Sequence, residues 1–471
     1  MLRESESVSE LSYYSGMLRL QRDVGAMSCF ALLLTLGIPP SISAQSADAA
    51  RQPPAKVESK RTALDLDRLL QDREYPELER QLPGANLSAM ERYYFEGILA
   101  DRSNQVSQAI ATLEKILPGL RTANSQRAAV ALRALVDDYF LSGRYGDASD
   151  AYADLMKHSA DEFNRAHIYG MDPHIYELLR DAAPQSVTGG RNFSVAIRRN
   201  SVGEIDVPLQ IGDKKEWWIF DTGASISTIT VSTANRLGLT ISKERASTQS
   251  NATGNEVSIW ITVIPQIRFG SAIVHNAVAQ VMDDKDLDIN LGENGLGENG
   301  HYQIEGILGY PVLAALGSFT FSGNDLTVAP ESQPSSRSTR LYVDELTPLV
   351  EAKAGGHELV FGFDTGAIAS SFSAKYFREF PHDFASLTGR EHMVAGAGGA
   401  RSSRDYELPR VEFELGSARA TLEDVDVLTS DLGVGLLDEV FGNIGQDLIS
   451  QFKTFTIDFK RMRISVGEEV K

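Results

Sequence analysis

The sequence predicts a multidomain α+β protein in which an N-terminal α-helical domain precedes a mainly β region made of two similar halves. Apolar residues recur at helical spacing in the first part of the chain, and after residues 188–190 they alternate as in half-buried strands. The triplet Asp-Thr-Gly occurs at 221–223 and again at 364–366, at matching places in the two halves. A length of 471 residues allows about three domains of ordinary size.

Residues 1–44 have the features of a signal peptide. An apolar run at 27–38 follows Arg19 and Arg22 and precedes small residues that end at Ala44. The run is shorter than the roughly 20 apolar residues that span a membrane, so we expect cleavage after Ala44 and export, to the periplasm. The mature protein would then have no integral membrane span. Anchoring of the chain in a membrane by the uncleaved segment is the alternative.

Composition excludes several classes of function. The formal net charge is −19, which argues against a general nucleic-acid binder because such proteins need clustered Lys and Arg. Cys29, the only cysteine, lies inside the apolar run, so the mature chain has no disulfide framework and no cysteine-based zinc or redox site. We therefore expect a soluble exported protein.

Residues 45–61 are small, polar and proline-containing, as expected of a flexible linker, and residues 62–185 are predicted to form the helical domain. This domain contains two similar sets of residues, which are Tyr93, Gly97, Ala109, Leu113 and Ile116, and Tyr139, Gly143, Ala148, Tyr152 and Leu155.

The two sets resemble tetratricopeptide repeats, although Ala109 and Ala148 lie 39 residues apart where the repeat expects about 34. A generic helical bundle stays open as the alternative. In either form the domain could bind a protein partner or pack on the β region.

The β region reads as an internal duplication. Residues 193–329 and 341–469 form the predicted halves, joined by a polar linker at 330–340. Each half repeats a Gly-containing motif whose last glycine, Gly309 or Gly445, follows the aspartate of its triplet by 88 or 81 residues. Each half also ends in a predicted closing hairpin.

These motifs resemble the aspartic proteases of the pepsin and retroviral type, in which two Asp-Thr-Gly lobes meet at a pseudo-twofold axis. The resemblance covers residues 193–469 and implies a bilobal aspartic-protease fold with lobes near the retroviral size. It implies that Asp221 and Asp364 are the catalytic residues. In the family the triplet threonines form hydrogen bonds between the lobes, and the triplet glycines let the backbone approach the carboxylates. The residues that would support the dyad in this way are Thr222, Gly223, Thr365 and Gly366.

The chemistry implied by the resemblance explains why paired carboxylates are needed. Two carboxyl groups about 3 Å apart share a proton, so that one acts as base and the other as acid. The base takes a proton from water, and the water attacks the peptide carbonyl. The sequence thus predicts an aspartic endopeptidase with a polypeptide substrate, and no cofactor or metal. It does not assign the resting proton to either Asp221 or Asp364.

The sequence also departs from the pepsin pattern. Ala224 and Ala367 follow the triplets as in the retroviral form, which suggests a less acidic optimum. The flap candidates are 249–256 and 395–400, and neither contains the tyrosine of the pepsin flap. Asn443 stands where an apolar residue is expected.

Alternative functions stay open at this stage. The β region could be a catalytically silent adaptor that binds peptides in the same cleft, with the helical repeats as a second binding module. In a third reading the helical repeats carry the function and the β region is structural. The helical domain could also cover the cleft and inhibit the enzyme.

Overall fold

The computed structural model of the protein describes residues 61–165, 171–250, 253–290, 301–333, 335–433 and 435–470. The predicted signal peptide with Cys29, and the predicted linker up to residue 60, lie outside these residues. Over the described ranges, no helix has the length and apolar character needed to cross a membrane. Residues 61–471 form one compact unit.

The N-terminal region is helical, as predicted. Its helices are α1 (Ala63–Gln71), α2 (Tyr75–Gln81), α3 (Ala89–Arg102), α4 (Val106–Ala123), α5 (Ser125–Leu141), α6 (Tyr145–Arg165) and α7 (Pro173–Leu178). Capping boxes fix the start of two of them. The Thr62 hydroxyl accepts the Asp65 N–H before α1 while the Asp65 carboxylate accepts the Thr62 N–H, and Ser88 and Glu91 do the same before α3.

Helices α3 to α6 pack against one another in chain order around buried aromatic and aliphatic side chains such as Phe95 and Leu135. Gly97 permits the close approach of α3 and α4, since a Cβ there would lie 2.6 Å from Cδ2 of Leu113. The helical character of the region is therefore confirmed. Its assignment to the tetratricopeptide family stays a prediction.

The first half of the β region contains two short helices, α8 (Val231–Arg236) and α9 (Tyr310–Leu316). Its strands are β1 (Ser186–Gly189), β2 (Phe193–Ala196), β3 (Arg198–Arg199), β4 (Ile205–Ile211), β5 (Lys214–Phe220), β6 (Ser227–Thr230), β7 (Ala246–Gln249), β8 (Glu256–Phe269), β9 (Ala272–Met282), β10 (Asp288–Asn290), β11 (His301–Gln303), β12 (Gly306–Leu308), β13 (Ser318–Ser322) and β14 (Asp325–Ala329).

The second half contains α10 (Ala374–Glu379), α11 (Leu436–Glu439) and α12 (Gln446–Ile449). Its strands are β15 (Ser338–Asp344), β16 (Thr347–Ala354), β17 (His357–Phe363), β18 (Ser371–Phe372), β19 (Arg390–Gly396), β20 (Gly399–Leu415), β21 (Ala418–Val427), β22 (Gly442–Ile444), β23 (Thr454–Asp458) and β24 (Arg463–Val466). Short 3-10 helices occupy Leu82–Gly84, Asp284–Asp286 and Pro381–Phe384.

The two halves repeat one arrangement around their triplets. Strand β5 pairs in parallel with β12, so that Phe220 lies beside Leu308. Strand β17 pairs in parallel with β22 in the same way, and Phe363 lies beside Ile444. Each Asp-Thr-Gly triplet therefore directly follows a buried strand, and that strand lies next to the Gly-containing motif of its own half.

One sheet joins the two halves. The strands run in the order β15, β24, β23, β13, β14 and β2, so the predicted closing hairpins of both halves lie side by side. The rings of Phe220 and Phe319 lie 4.9 Å apart, and those of Phe363 and Phe455 lie 5.5 Å apart, which packs the end of each triplet strand onto this shared sheet.

The sheets extend beyond the limits predicted from the sequence. Strand β15 begins at Ser338, inside the predicted linker 330–340. Strand β1 begins at Ser186 and pairs with β9, before the predicted start of the first half at 193. Both extra segments are short and polar at their ends, which is why the alternation of apolar residues does not reveal them.

Candidate active site

The two triplet aspartates occupy equivalent positions at the ends of β5 and β17. The Asp221 N–H donates to the carbonyl oxygen of Leu308 at 3.2 Å, and the Asp364 N–H donates to that of Ile444 at 3.0 Å. Each aspartate is therefore tied to the Gly-containing motif that the sequence pairs with it.

The fold brings the carboxyl groups of Asp221 and Asp364 close together. Each carboxyl group also lies against the glycine of the other triplet. A Cβ on Gly223 would lie 2.4 Å from Cγ of Asp364, and a Cβ on Gly366 would lie 2.5 Å from Cγ of Asp221. Because real Cβ atoms do not approach so closely, only glycine fits at either position.

Backbone amides hold one oxygen of each carboxyl group. Oδ1 of Asp221 accepts the N–H groups of Gly223 at 2.7 Å and Ala224 at 3.1 Å. Oδ1 of Asp364 accepts the equivalent N–H groups, which belong to Gly366 at 2.8 Å and Ala367 at 3.1 Å. The near-identical distances show that the two triplets share one local geometry.

The triplet threonines link the two halves. Thr222 Oγ1 accepts the Thr365 N–H at 3.0 Å, and Thr365 Oγ1 accepts the Thr222 N–H at 3.0 Å. Each hydroxyl then donates to a backbone carbonyl across the interface at 2.8 Å, that of Thr222 to Phe363 and that of Thr365 to Phe220. All four predicted supporting residues therefore lie at the dyad.

Two serines brace the Gly-containing motifs. The Gly309 N–H donates to Oγ of Ser227 at 3.1 Å, and the Gly445 N–H donates to Oγ of Ser370 at 2.9 Å. Neither serine is among the site residues predicted from the sequence. A signal was present, since each serine lies six residues after the aspartate of its triplet.

The electrostatic surroundings of the two aspartates differ. Burial raises the pKa of Asp221 well above its usual range, and the nearby charge of Asp364 raises it further. Among the described residues, a side-chain amide donates to Asp364 and not to Asp221, since Asn443 donates from Nδ2 to Oδ2 of Asp364 at 3.2 Å. The residue at the matching place in the first half is Ile307, which has no donor. The departure at Asn443 thus makes the dyad asymmetric.

A third carboxyl group, that of Glu204, interacts electrostatically with the dyad. In the β4–β5 ladder Asp206 pairs with Ile219, and the same register continued by two residues places Glu204 opposite Asp221. Burial raises the pKa of Glu204 to about 7, and the charges of Asp206 and Asp364 add to the shift. Asn200 donates to its Oε2 at 3.0 Å. The sequence gives no sign that Glu204 interacts with the dyad, because residues 200–204 have the composition of an ordinary polar turn.

The two flap candidates contact each other across the halves. Ser250 donates from Oγ to the carbonyl oxygen of Ala397, and Asn255 donates from Nδ2 to that of Gly398 at 3.0 Å. The Gly398 N–H in turn donates to the carbonyl oxygen of Asp286 at 2.7 Å. Both candidates therefore form tips that meet, as in an arrangement with one flap from each half.

Comparison with known proteins finds a match to a family model over part of the chain and a likeness to solved structures. Residues 207–312 match the family model described as aspartyl protease, a segment that includes the first triplet and Gly309. The solved structures that resemble this chain include the aspartic proteinase from Irpex lacteus. The match has 12% identity and a TM-score of 0.35, and it covers 59% of this chain and 97% of that chain. No curated protein matches the sequence. The family match supports the predicted aspartic-protease fold and a hydrolase of the protease class.

Proposed function

We propose that the protein is an exported aspartic endopeptidase that hydrolyses peptide bonds with water activated between Asp221 and Asp364. The contact between the two carboxyl groups, each seated against the glycine of the other triplet, is the observation that carries this proposal. The proposal of export rests on residues 1–44 of the sequence alone.

The asymmetry of the dyad supports different roles for its two acids. Burial and the neighbouring charge favour the protonated form of Asp221. Both aspartates accept two backbone N–H groups, but Asp364 also accepts the amide of Asn443, and such a donor stabilises a negative charge. We therefore assign Asp364 as the base and Asp221 as the acid.

The reaction then runs without a covalent intermediate. Asp364 accepts a proton from water as the water oxygen bonds to the scissile carbonyl carbon, and Asp221 gives its proton to the carbonyl oxygen. In the second step the diol returns a proton to Asp221 and the C–N bond breaks. The leaving nitrogen takes the proton held by Asp364, which restores the starting dyad.

The surrounding contacts suit a polypeptide substrate. The bonds of Ser250 and Asn255 to residues 397 and 398 join the two flap tips, so a chain that enters beneath them must first part these bonds. The Thr222 and Thr365 exchange keeps the two aspartates in register during this motion. The flaps move in this account, whereas the floor of the cleft stays fixed.

The proposal is tested by digestion of a peptide library with the mature chain across a range of pH, with and without pepstatin, followed by mass spectrometry. We expect cleavage at internal peptide bonds that pepstatin blocks. Peptide binding without cleavage at any pH would contradict the proposal and would favour the peptide-binding adaptor.

A further inference from the structure

An acidic turn of the second half lies buried in a polar cradle of the helical domain. The turn joins β15 to β16 and begins at Asp344, which is 4% exposed. Three helical-domain residues hold its carboxylate. Tyr75 donates its hydroxyl to Oδ2, Arg102 Nη2 lies 2.9 Å from Oδ1, and Arg73 Nε lies 3.4 Å from Oδ2. We call Arg73, Tyr75 and Arg102 the arginine cradle.

The charges of this contact are matched to each other. Burial disfavours the ionised carboxylate, but Arg102 and Arg73 together hold the pKa of Asp344 below its ordinary value. Arg102 also donates from Nε to the hydroxyl of Tyr75 at 3.2 Å and pairs with Asp101 on the same helix. A buried ion pair of this kind contributes more to a fixed geometry than to net stability.

The backbone of the turn needs such a support. Glu345 and Leu346 adopt positive φ angles of 50° and 59°, which residues other than glycine rarely adopt. Leu346 is 2% exposed, and Thr347 at the start of β16 is also buried. Strained backbone persists only where the surroundings hold it, and here the arginine cradle lies next to the strained pair.

The neighbouring strand makes further contacts with the same helices. Tyr342 donates its hydroxyl to Oε2 of Glu79 at 2.6 Å, and Arg340 donates from Nη2 to Oγ of Ser103 at 2.9 Å. Asn104 donates to the carbonyl oxygen of Phe459 at 3.1 Å. The helical domain therefore holds β15 along its length and not only at its end.

The acidic turn leads into β16, which pairs with β17, the strand that ends directly before Asp364. In the β16–β17 ladder Leu349 pairs with Gly362, and the same register continued by two residues places Thr347 opposite Asp364. Thr347 is the first residue of β16, directly after the turn. In the first half the matching position is Glu204, whose turn is held by Asn200 from within that half.

We propose that the helical domain is a positioning element of the active site, in which the arginine cradle fixes the acidic turn 344–346 and through Thr347 the placement of Asp364. This inference rests on the proposed function for its catalytic consequence. In this arrangement the chain itself occupies the arginine cradle, so a partner that bound there would have to displace Asp344.

The test uses the full mature chain with Arg102→Met, Arg102→Lys and, as a matched control, Arg121→Met. Arg121 pairs with Asp154 at the surface of the same domain, within the helices. We expect Arg102→Met to lower kcat about ten- to a hundredfold with KM nearly unchanged, as small misplacements of catalytic groups do. Arg102→Lys should recover part of the loss, and Arg121→Met should match the wild type.

Hydrogen exchange provides a readout that does not depend on activity. Arg102→Met should speed amide exchange in residues 347–363. Tyr75→Phe removes only a hydroxyl group, disturbs folding less, and should speed the same exchange more weakly. Faster amide exchange in the helices alone would overturn the inference if kcat and the exchange rates of residues 347–363 stayed at their wild-type values. That result would leave the proposed function intact. An inactive wild type with the expected exchange pattern would instead overturn the proposed function alone.

Discussion

Thr222 and Thr365 exchange hydrogen bonds across the two halves, each hydroxyl accepting the other residue's N–H at 3.0 Å. Both hydroxyls also donate, so that each is used fully and in the same way. Neither half can complete this network alone. The distance between the two aspartates therefore depends on the packing of the two halves against each other.

Replacing Thr222 by Ala should therefore damage both stability and activity. The change leaves the buried Thr365 N–H and the Phe363 carbonyl without their partner, and each unsatisfied group costs about 1–3 kcal/mol. Chemical unfolding at constant pH measures the loss. Thr222→Ser keeps the hydroxyl and serves as the control, and equal stability of the Ala and Ser variants would contradict the role of the hydroxyl.

Replacing Gly366 by Ala should separate the two carboxyl groups. The added Cβ would meet Cγ of Asp221 at 2.5 Å, and relief of that clash must move one aspartate. We expect kcat/KM to fall by about 10²-fold or more, since a displacement near 1 Å has this effect. Steady-state kinetics on a library-derived peptide measures it. Gly84→Ala is the control because its Cβ would meet nothing within 4 Å, and a similar loss there would point to a general effect of the substitution.

Replacing Glu204 by Gln should change how stability depends on pH. Burial raises the pKa of Glu204 in the folded protein from 4.5 to about 7. The neutral form is favoured by folding, so this stability is complete below pH 4.5 and is lost as the pH rises through 7. Unfolding free energies of both proteins at pH 4 and pH 8 measure the effect.

The Glu204→Gln variant should lose less stability than the wild type between these pH values, by at most about 3 kcal/mol. Glu256→Gln, at an exposed glutamate of β8, is the control and should follow the wild type. Parallel curves for wild type and Glu204→Gln would show that Glu204 is not the group that titrates near neutral pH.

Replacing Asn443 by Ile should make the two halves alike at the dyad, since the first half has Ile307 there. The change removes the side-chain amide of Asn443, which donates to Asp364, and so disfavours the singly ionised dyad. We expect the acid limb of the kcat/KM profile to move to higher pH. A profile that does not move, in a variant with wild-type unfolding behaviour, would contradict the assignment of Asp364 as the base.

Much of the site follows from local sequence. The triplets at 221–223 and 364–366 follow apolar strands, and their repeats at Gly309 and Gly445 fix which strands must be neighbours. The closing hairpins were predicted from the same alternation and form where expected. Ser227 and Ser370 could have been found by comparing the two halves position by position.

Other features depend on contacts between residues distant in sequence. Glu204 becomes a neighbour of Asp221 only through the register of β4 and β5, and a one-residue shift would turn it away. Asp344 reads as a polar turn residue until Arg102, 242 residues earlier, is placed beside it. No periodicity or motif carries such pairings, because the first arises from strand register and the second from the packing of the helices on the second half.

The most direct test of the account is single-turnover cleavage of the best library peptide by the wild type, Asp221→Asn and Asp364→Asn at equal concentration. Each substitution removes one partner of the acid–base pair while keeping its shape, so each should slow cleavage by about 10²–10⁴-fold. Both variants should retain the wild-type unfolding transition. Cleavage at the wild-type rate by either folded variant would contradict the shared dyad of Asp221 and Asp364.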